Sequence, residues 1–259
     1  MNETIKISLL QIDLAWENAD PNLKFIENKI SDISETDILI LPEMFNTGFT
    51  NRVEYCYETM DGKTISWMKK ISASTGSAIC GSLIIKDFEY IYNRFVFVKP
   101  DGCVSFYNKR HLFGLGGETG VFESGKSKTV IEYKSFKILP LICYDLRFPV
   151  WSRNVENYDI LFYVANWPAS RQNAWDVLLK ARAIENQCFV AGVNRIGTDG
   201  NNIKYNGGSC VIDFLGNYMA KANDDNNEMV SVILNKNELL DFRKNFPFLE
   251  DHDEFEIFT

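Results

Sequence analysis

Ile138-Leu-Pro-Leu-Ile-Cys143-Tyr-Asp-Leu-Arg-Phe-Pro149 is an apolar, strand-length run that feeds directly into a cysteine, then a polar turn, then a proline suited to open a helix. A cysteine at that junction stands at the carboxyl edge of a sheet, where active sites of α/β proteins gather. Eight more strand-length apolar runs, rich in Ile, Val and Phe, fall at 5–12, 37–41, 78–85, 94–98, 160–165, 188–193, 208–212 and 229–234. Helix-like stretches lie between several of them, at 22–33 and at 64–73 after Asp61-Gly62. A third has one apolar face at helical spacing, formed by Ala174, Val177, Leu178, Ala181 and Ile184. Strands alternating with helices argue for α/β layering. Nine strands are many for one sheet, so two packed sheets with outer helices are expected. No Pro/Gly/Ser linker, low-complexity tract or repeat interrupts the chain, so residues 1–259 read as one domain.

Composition narrows the function. The 259 residues are 46% apolar and 24% charged, ordinary for a globular protein, and the net charge is −8. With no long basic run, neither nucleic acid nor an anionic membrane is an expected partner. No apolar run approaches the roughly 18 residues of a membrane span, and no signal peptide is expected at the N-terminus. Cysteines at 56, 80, 103, 143, 188 and 210 form no CxxC pair, which fits buried thiols in a reducing cytoplasm. The only histidines are His111 and His252, which argues against a multi-imidazole metal site. His252 sits in an acidic tail, so a cysteine–histidine mechanism would have to use His111.

One motif is refused. Gly120-Val-Phe-Glu-Ser-Gly125-Lys126-Ser127 matches the GxxxxGK[ST] phosphate loop letter for letter. That chemistry needs a strand entering the loop and a helix leaving it. Upstream lies the loop Gly114-Leu-Gly-Gly117, downstream the strand-like Thr129-Val-Ile-Glu-Tyr133, and Glu123 would repel a phosphate. The stretch reads as a turn between a loop and a strand.

Three segments place a reactive residue at a strand end: Leu39-Ile-Leu-Pro-Glu43-Met-Phe, Ser105-Phe-Tyr-Asn-Lys109-Arg-His-Leu-Phe113, and the run ending at Cys143. Singly, each has a plain alternative: a solvated loop glutamate, a surface lysine, a cysteine serving as a small buried hydrophobe. Together they resemble the nitrilase superfamily of carbon–nitrogen hydrolases, which carries a Glu–Lys–Cys triad in this order. Ala165-Asn-Trp-Pro168, Lys180-Ala-Arg-Ala-Ile-Glu-Asn-Gln187 and Asn206-Gly-Gly-Ser209 extend the likeness across the chain, and several runs resemble the bacterial ω-amidase group. The resemblance implies a four-layer αββα sandwich, commonly a homodimer paired through sheet-flanking helices.

It further implies Cys143 as nucleophile, Glu43 as general base, Lys109 as electrostatic partner and Glu118 as a second acidic residue, for which a surface loop carboxylate is the alternative. A free thiol, of reference pKa roughly 8.5, needs a base or a cation to attack at neutral pH. Lys109 and the Tyr144 backbone N–H are candidate donors to the oxyanion. No metal or organic cofactor is required. His111 is read as a structural hydrogen bonder, and Asp145 with Arg147 as an ion pair shaping the turn. The implied substrate is the terminal amide of a short 2-oxo acid, such as 2-oxoglutaramate or 2-oxosuccinamate. Its carboxylate needs an arginine, Arg171 first and Arg110 second, each with a solvated surface role as the alternative. Trp167, Phe45 and Phe113 are expected as apolar walls. The alternatives are an amidase for another small amide or carbamoyl compound, an acyl-transferring relative, and a non-catalytic relative.

Overall fold

The structure is a computed structural model that describes residues 3–30 and 35–258. Its elements run β1 (Thr4–Gln11), α1 (Ala19–Ile30), β2 (Ile38–Ile40), α2 (Val53–Cys56), α3 (Lys63–Thr75), β3 (Ala78–Asp87), β4 (Tyr90–Val98) and β5 (Val104–Asn108). They continue as β6 (Ile131–Tyr133), β7 (Phe136–Ile142), α4 (Pro149–Ser152), β8 (Ile160–Ala165), α5 (Gln172–Asn186) and β9 (Phe189–Asn194). Last come β10 (Ile196–Thr198), β11 (Lys204–Asn206), β12 (Cys210–Ile212), β13 (Tyr218–Lys221), β14 (Glu228–Asn235) and α6 (Lys236–Asn245).

Two six-stranded sheets hold most of the strands, in the orders β14-β1-β2-β3-β4-β5 and β13-β12-β9-β8-β7-β6. Strand periodicity explains how they stack. Along β1 and β2, Ile5, Ile7, Leu9, Ile38 and Ile40 point into one core, which they share with Ile138, Ile142, Phe162 and Ala191 on the facing side of the second sheet. The alternate residues Leu10, Leu39 and Leu41 point the other way, against Leu23 and Ile26 of α1 and Ile65, Met68 and Ile71 of α3. On the far side of the second sheet, α5 lays Trp175 and Leu179 on β9, where a Cβ at Gly192 would come within 2.6 Å of Leu179. Leu239 brings α6 into the same core. Helices, two sheets and helices make the expected four-layer sandwich.

The differences from expectation have local causes. The buried face of α5 is Trp175, Leu179, Arg182, Ala183 and Asn186, while Val177 and Ile184 stand exposed. Apolar spacing alone points to the wrong stripe because the true inner stripe includes an arginine and an asparagine that bond inside. Residues 31–33 of the first expected helix lie outside the described residues. Strands β5, β10, β11 and β13 and helix α6 are short, polar or half-exposed, so hydrophobic pattern does not announce them. No helix opens at Lys126, which is exposed. The glycine of the refused motif instead serves packing: Gly125 N donates to the Lys109 carbonyl at 2.8 Å, and a Cβ there would lie 2.0 Å from the Asn108 carbonyl oxygen.

Phe45 is corrected by the fold. Its ring is fully buried among the residues between the first sheet and its helices, 6.2 Å from the Trp67 ring and tight against Gly81. It is core, not a cavity wall. Phe45→Ala is therefore expected to destabilise the protein by about 3–5 kcal/mol in urea unfolding. A loss below about 1 kcal/mol, the range of surface changes, would contradict this placement.

Candidate active site

The parallel strands β2 and β7, together with β5, end at the same edge of the sandwich. Glu43 lies just past β2, Lys109 directly follows β5, and Cys143 directly follows β7. A tight left-handed step follows Glu43, at Met44 with φ 46°, and another falls on Cys143 itself, with φ 43°. Such a conformation costs a non-glycine residue roughly 1–2 kcal/mol, and it turns the cysteine sharply out of its strand into the 3-10 turn Cys143–Arg147.

The side chains of Glu43, Lys109 and Glu118 are all fully buried. Lys109 Nζ donates to Glu43 Oε1 at 2.9 Å and to both oxygens of Glu118, at 3.0 and 2.8 Å. Glu118 is thus no surface carboxylate. The Phe113 N–H, at 2.6 Å, also binds it. Asn93 Nδ2 donates to Glu43 at 2.8 Å and to Glu118 at 3.3 Å, bridging the two acids. Glu43 Oε2 accepts the Asn166 N–H at 2.8 Å, and Asn166 Nδ2 reaches the Glu43 carbonyl at 2.7 Å. The Cys143 thiol lies 3.9 Å from the Asn166 carbonyl oxygen, and Asn166 in turn binds Glu43.

Burial works against the charge on Lys109, but Glu118 and Glu43 outweigh it and hold the pKa above that of an ordinary lysine. Burial pushes the Cys143 thiol well up; Glu43 adds to the rise and Lys109 opposes it. The resting group is a thiol, with Glu43 and Lys109 both near enough to act on it electrostatically.

Cys143 and Lys109 open onto a cavity of about 260 Å³. Tyr144, Trp167, Arg171 and Phe113 line it, and so does Phe49; Phe45 does not. Arg147 lines it too. Instead of pairing with Asp145, Arg147 lies over the Trp167 ring with its guanidinium carbon 4.8 Å from the centroid. Arg171 lies over Phe113 at 5.1 Å. Arg110 faces away, over Trp151. His111 is structural, with Nδ1 2.8 Å from Asp145 Oδ1 and its ring stacked 3.7 Å from that of Phe148. The sequence reading missed Asn93, Phe49 and the cavity placement of Arg147; Asn166 lay inside the quoted Ala165-Asn-Trp-Pro168 without a role.

A carbon–nitrogen hydrolase family profile matches residues 6–243. The chain belongs to the carbon–nitrogen hydrolase family. It is 42% identical to omega-amidase YafV of Yersinia enterocolitica, covering 97% of this chain and 98% of that one. It is 34% identical to 2-oxoglutaramate amidase of Bacillus subtilis, over 95% of this chain and 96% of that protein. Among solved structures, XC1258 from Xanthomonas campestris, a CN-hydrolase superfamily protein with an arsenic adduct in its active site, superimposes with a TM-score of 0.95 at 39% identity, covering 98% and 99% of the two chains. The fold is that of the nitrilase superfamily, and this carbon–nitrogen hydrolase carries its acidic pair and lysine beneath the cysteine.

A protonated resting thiol has a pH signature. Alkylation of Cys143 by iodoacetamide, followed on its own peptide, should keep rising with pH past about 8.5, the reference thiol value. A plateau reached near pH 6–7 would mean a preformed thiolate and would contradict this electrostatic account.

Proposed function

We propose that residues 1–259 form one ω-amidase domain, hydrolysing the terminal amide of short 2-oxo acids such as 2-oxoglutaramate and 2-oxosuccinamate to ammonia and a 2-oxo dicarboxylate. The observation that carries the chemistry is the buried Lys109 ammonium held between Glu43 and Glu118, with the thiol of Cys143 opening beside it onto the same cavity. Two relatives at 42% and 34% identity, an omega-amidase and a 2-oxoglutaramate amidase, support the substrate class.

In the proposed reaction, Glu43 takes the Cys143 proton as sulfur attacks the amide carbon. Coupling the two steps avoids forming a free thiolate in a site that disfavours it. Negative charge gathers on the former carbonyl oxygen, where Lys109 and the Tyr144 N–H stabilise it. One preorganised donor of this kind is worth roughly 3–4 kcal/mol. Glu43 returns the proton to the leaving nitrogen, the C–N bond breaks, and ammonia departs from a thioester. Water, deprotonated by Glu43, then attacks the thioester carbon and releases the acid and the thiol. Glu118 holds Lys109 in place throughout.

The arginines at the cavity support an anionic substrate. Arg147 and Arg171 each offer a planar fork to a carboxylate, and the apolar walls Phe49, Phe113 and Trp167 favour a compact molecule. The homodimer is part of the proposal: Val177 and Ile184 on the outer face of α5 give a second copy an apolar strip. So is a reducing, cytoplasmic setting, in keeping with six unpaired cysteines.

The test compares 2-oxosuccinamate with a neutral amide of similar size by ammonia release. Cys143→Ala should abolish turnover of both. Arg147→Ala and Arg171→Ala should raise KM for the acid by roughly 10- to 150-fold, the worth of a hydrogen bond to a charged group, and leave the neutral amide nearly unchanged. Equal effects on both substrates would remove the arginines from the carboxylate site. Preference for nitriles or long uncharged amides would refute the ω-amidase reading while leaving the thiol chemistry standing.

A further inference from the structure

Two residues past Cys143 stands a carboxylate that the proposed reaction does not use. Asp145 is fully buried, and its two oxygens accept four hydrogen bonds. Oδ2 receives the Ile142 N–H at 3.0 Å and the Tyr107 hydroxyl at 2.9 Å. Oδ1 receives the His111 N–H at 2.9 Å and faces His111 Nδ1 at 2.8 Å.

The origin of these donors is what matters. Ile142 is the last residue of β7 before the nucleophile position, in the second sheet. Tyr107 and His111 lie two residues to either side of Lys109, Tyr107 within β5 at the edge of the first sheet. One side chain therefore ties the backbone entering Cys143 to the backbone on both sides of Lys109, across the gap between the sheets.

Tyr107 is itself saturated. Its hydroxyl accepts the Arg110 N–H and the Trp151 Nε1–H, both at 3.0 Å. Burial, with Asp145 beside it, keeps the phenol protonated and donating. His111 is wedged by its stack on Phe148. Nothing in this cluster is free to swing away.

We propose that Asp145 is a positioning residue: its buried carboxylate sets the register of the Cys143 turn against the Lys109 segment, and so the alignment of thiol, ammonium and base. The inference rests on Cys143 being the nucleophile. It goes beyond that reading by assigning the alignment to a residue that touches neither the thiol nor the ammonium. An error of about 1 Å in such an alignment costs on the order of 100-fold in rate.

Two variants of the full chain test it, Asp145→Asn and Tyr107→Phe. In Asp145→Asn an amide –NH2 must face a backbone N–H on one side or the other. Tyr107→Phe keeps the carboxylate and removes only one tie. Kinetics are normalised to folded protein by circular dichroism. Asp145→Asn should lose about 100-fold in kcat toward 2-oxosuccinamate with KM within about threefold, and Tyr107→Phe about tenfold.

Iodoacetamide modification of the Cys143 peptide gives a readout independent of any substrate. It should slow by about tenfold in Asp145→Asn and slow no further in Lys109→Ala/Asp145→Asn than in Lys109→Ala alone, since both changes break one alignment. A kcat per folded molecule within threefold of wild type in both variants, or alkylation losses that multiply independently, would overturn the proposal. If Asp145→Asn does not fold, Tyr107→Phe decides by the same thresholds. A wild-type protein that hydrolyses no amide would defeat the functional reading, and the alkylation measurements would still decide the role of Asp145.

Discussion

The Lys109 side chain is buried, so its ammonium depends on Glu43 and Glu118, and they depend on it. Removing one member of such a buried set leaves an uncompensated charge, typically at a cost of about 3–5 kcal/mol. The set is also unbalanced, with two carboxylates against one ammonium. That imbalance, together with burial, raises the thiol instead of lowering it. The site therefore differs from thiol sites in which a neighbouring cation stores a thiolate in advance. Here Glu43 is the proposed acceptor of the proton, and the proposed activation happens as the bond to substrate forms.

The sandwich exists around that arrangement. Glu43 and Lys109 descend from the first sheet and Cys143 and Asn166 from the second, so the site closes only when the sheets pack face to face. Asn166 binds Glu43 through its backbone N–H and its amide, and Asp145 binds Ile142, Tyr107 and His111. These are polar stitches across an otherwise apolar interface. Each uses a short side chain with few rotamers, which limits the freedom left at the reacting groups.

Much of this was legible in the chain. Strand-length apolar runs ending in Glu43 and Cys143 gave the sheet edge, and their order together with Lys109 gave the family. Lys126 was refused a phosphate role from context alone, and the exposed, non-helical segment agrees. What stayed hidden has physical reasons. Phe45 sits two residues from Glu43 in sequence, yet its ring turns into the helix-covered core; side-chain direction after a left-handed residue is not written in an apolar pattern. Arg147 was read as a partner for nearby Asp145, but Asp145 is already occupied by donors from residues 107, 111 and 142, which only tertiary packing brings together. On α5 the inner stripe carries Arg182 and Asn186, polar residues that hydrogen-bond inside to Leu146, Glu185 and Asn154, so hydrophobic spacing pointed to the outer face.

The central claim is that Cys143 carries the acyl group and Glu43 moves the protons. Rapid-quench intact-protein mass spectrometry with 2-oxosuccinamate tests it most directly. The account predicts a transient mass increase equal to the substrate less ammonia, mapped to the Cys143 peptide, absent in Cys143→Ala, and slow to form and to decay in Glu43→Gln. Turnover with no adduct on Cys143 at any time, or an adduct on another residue, would contradict it.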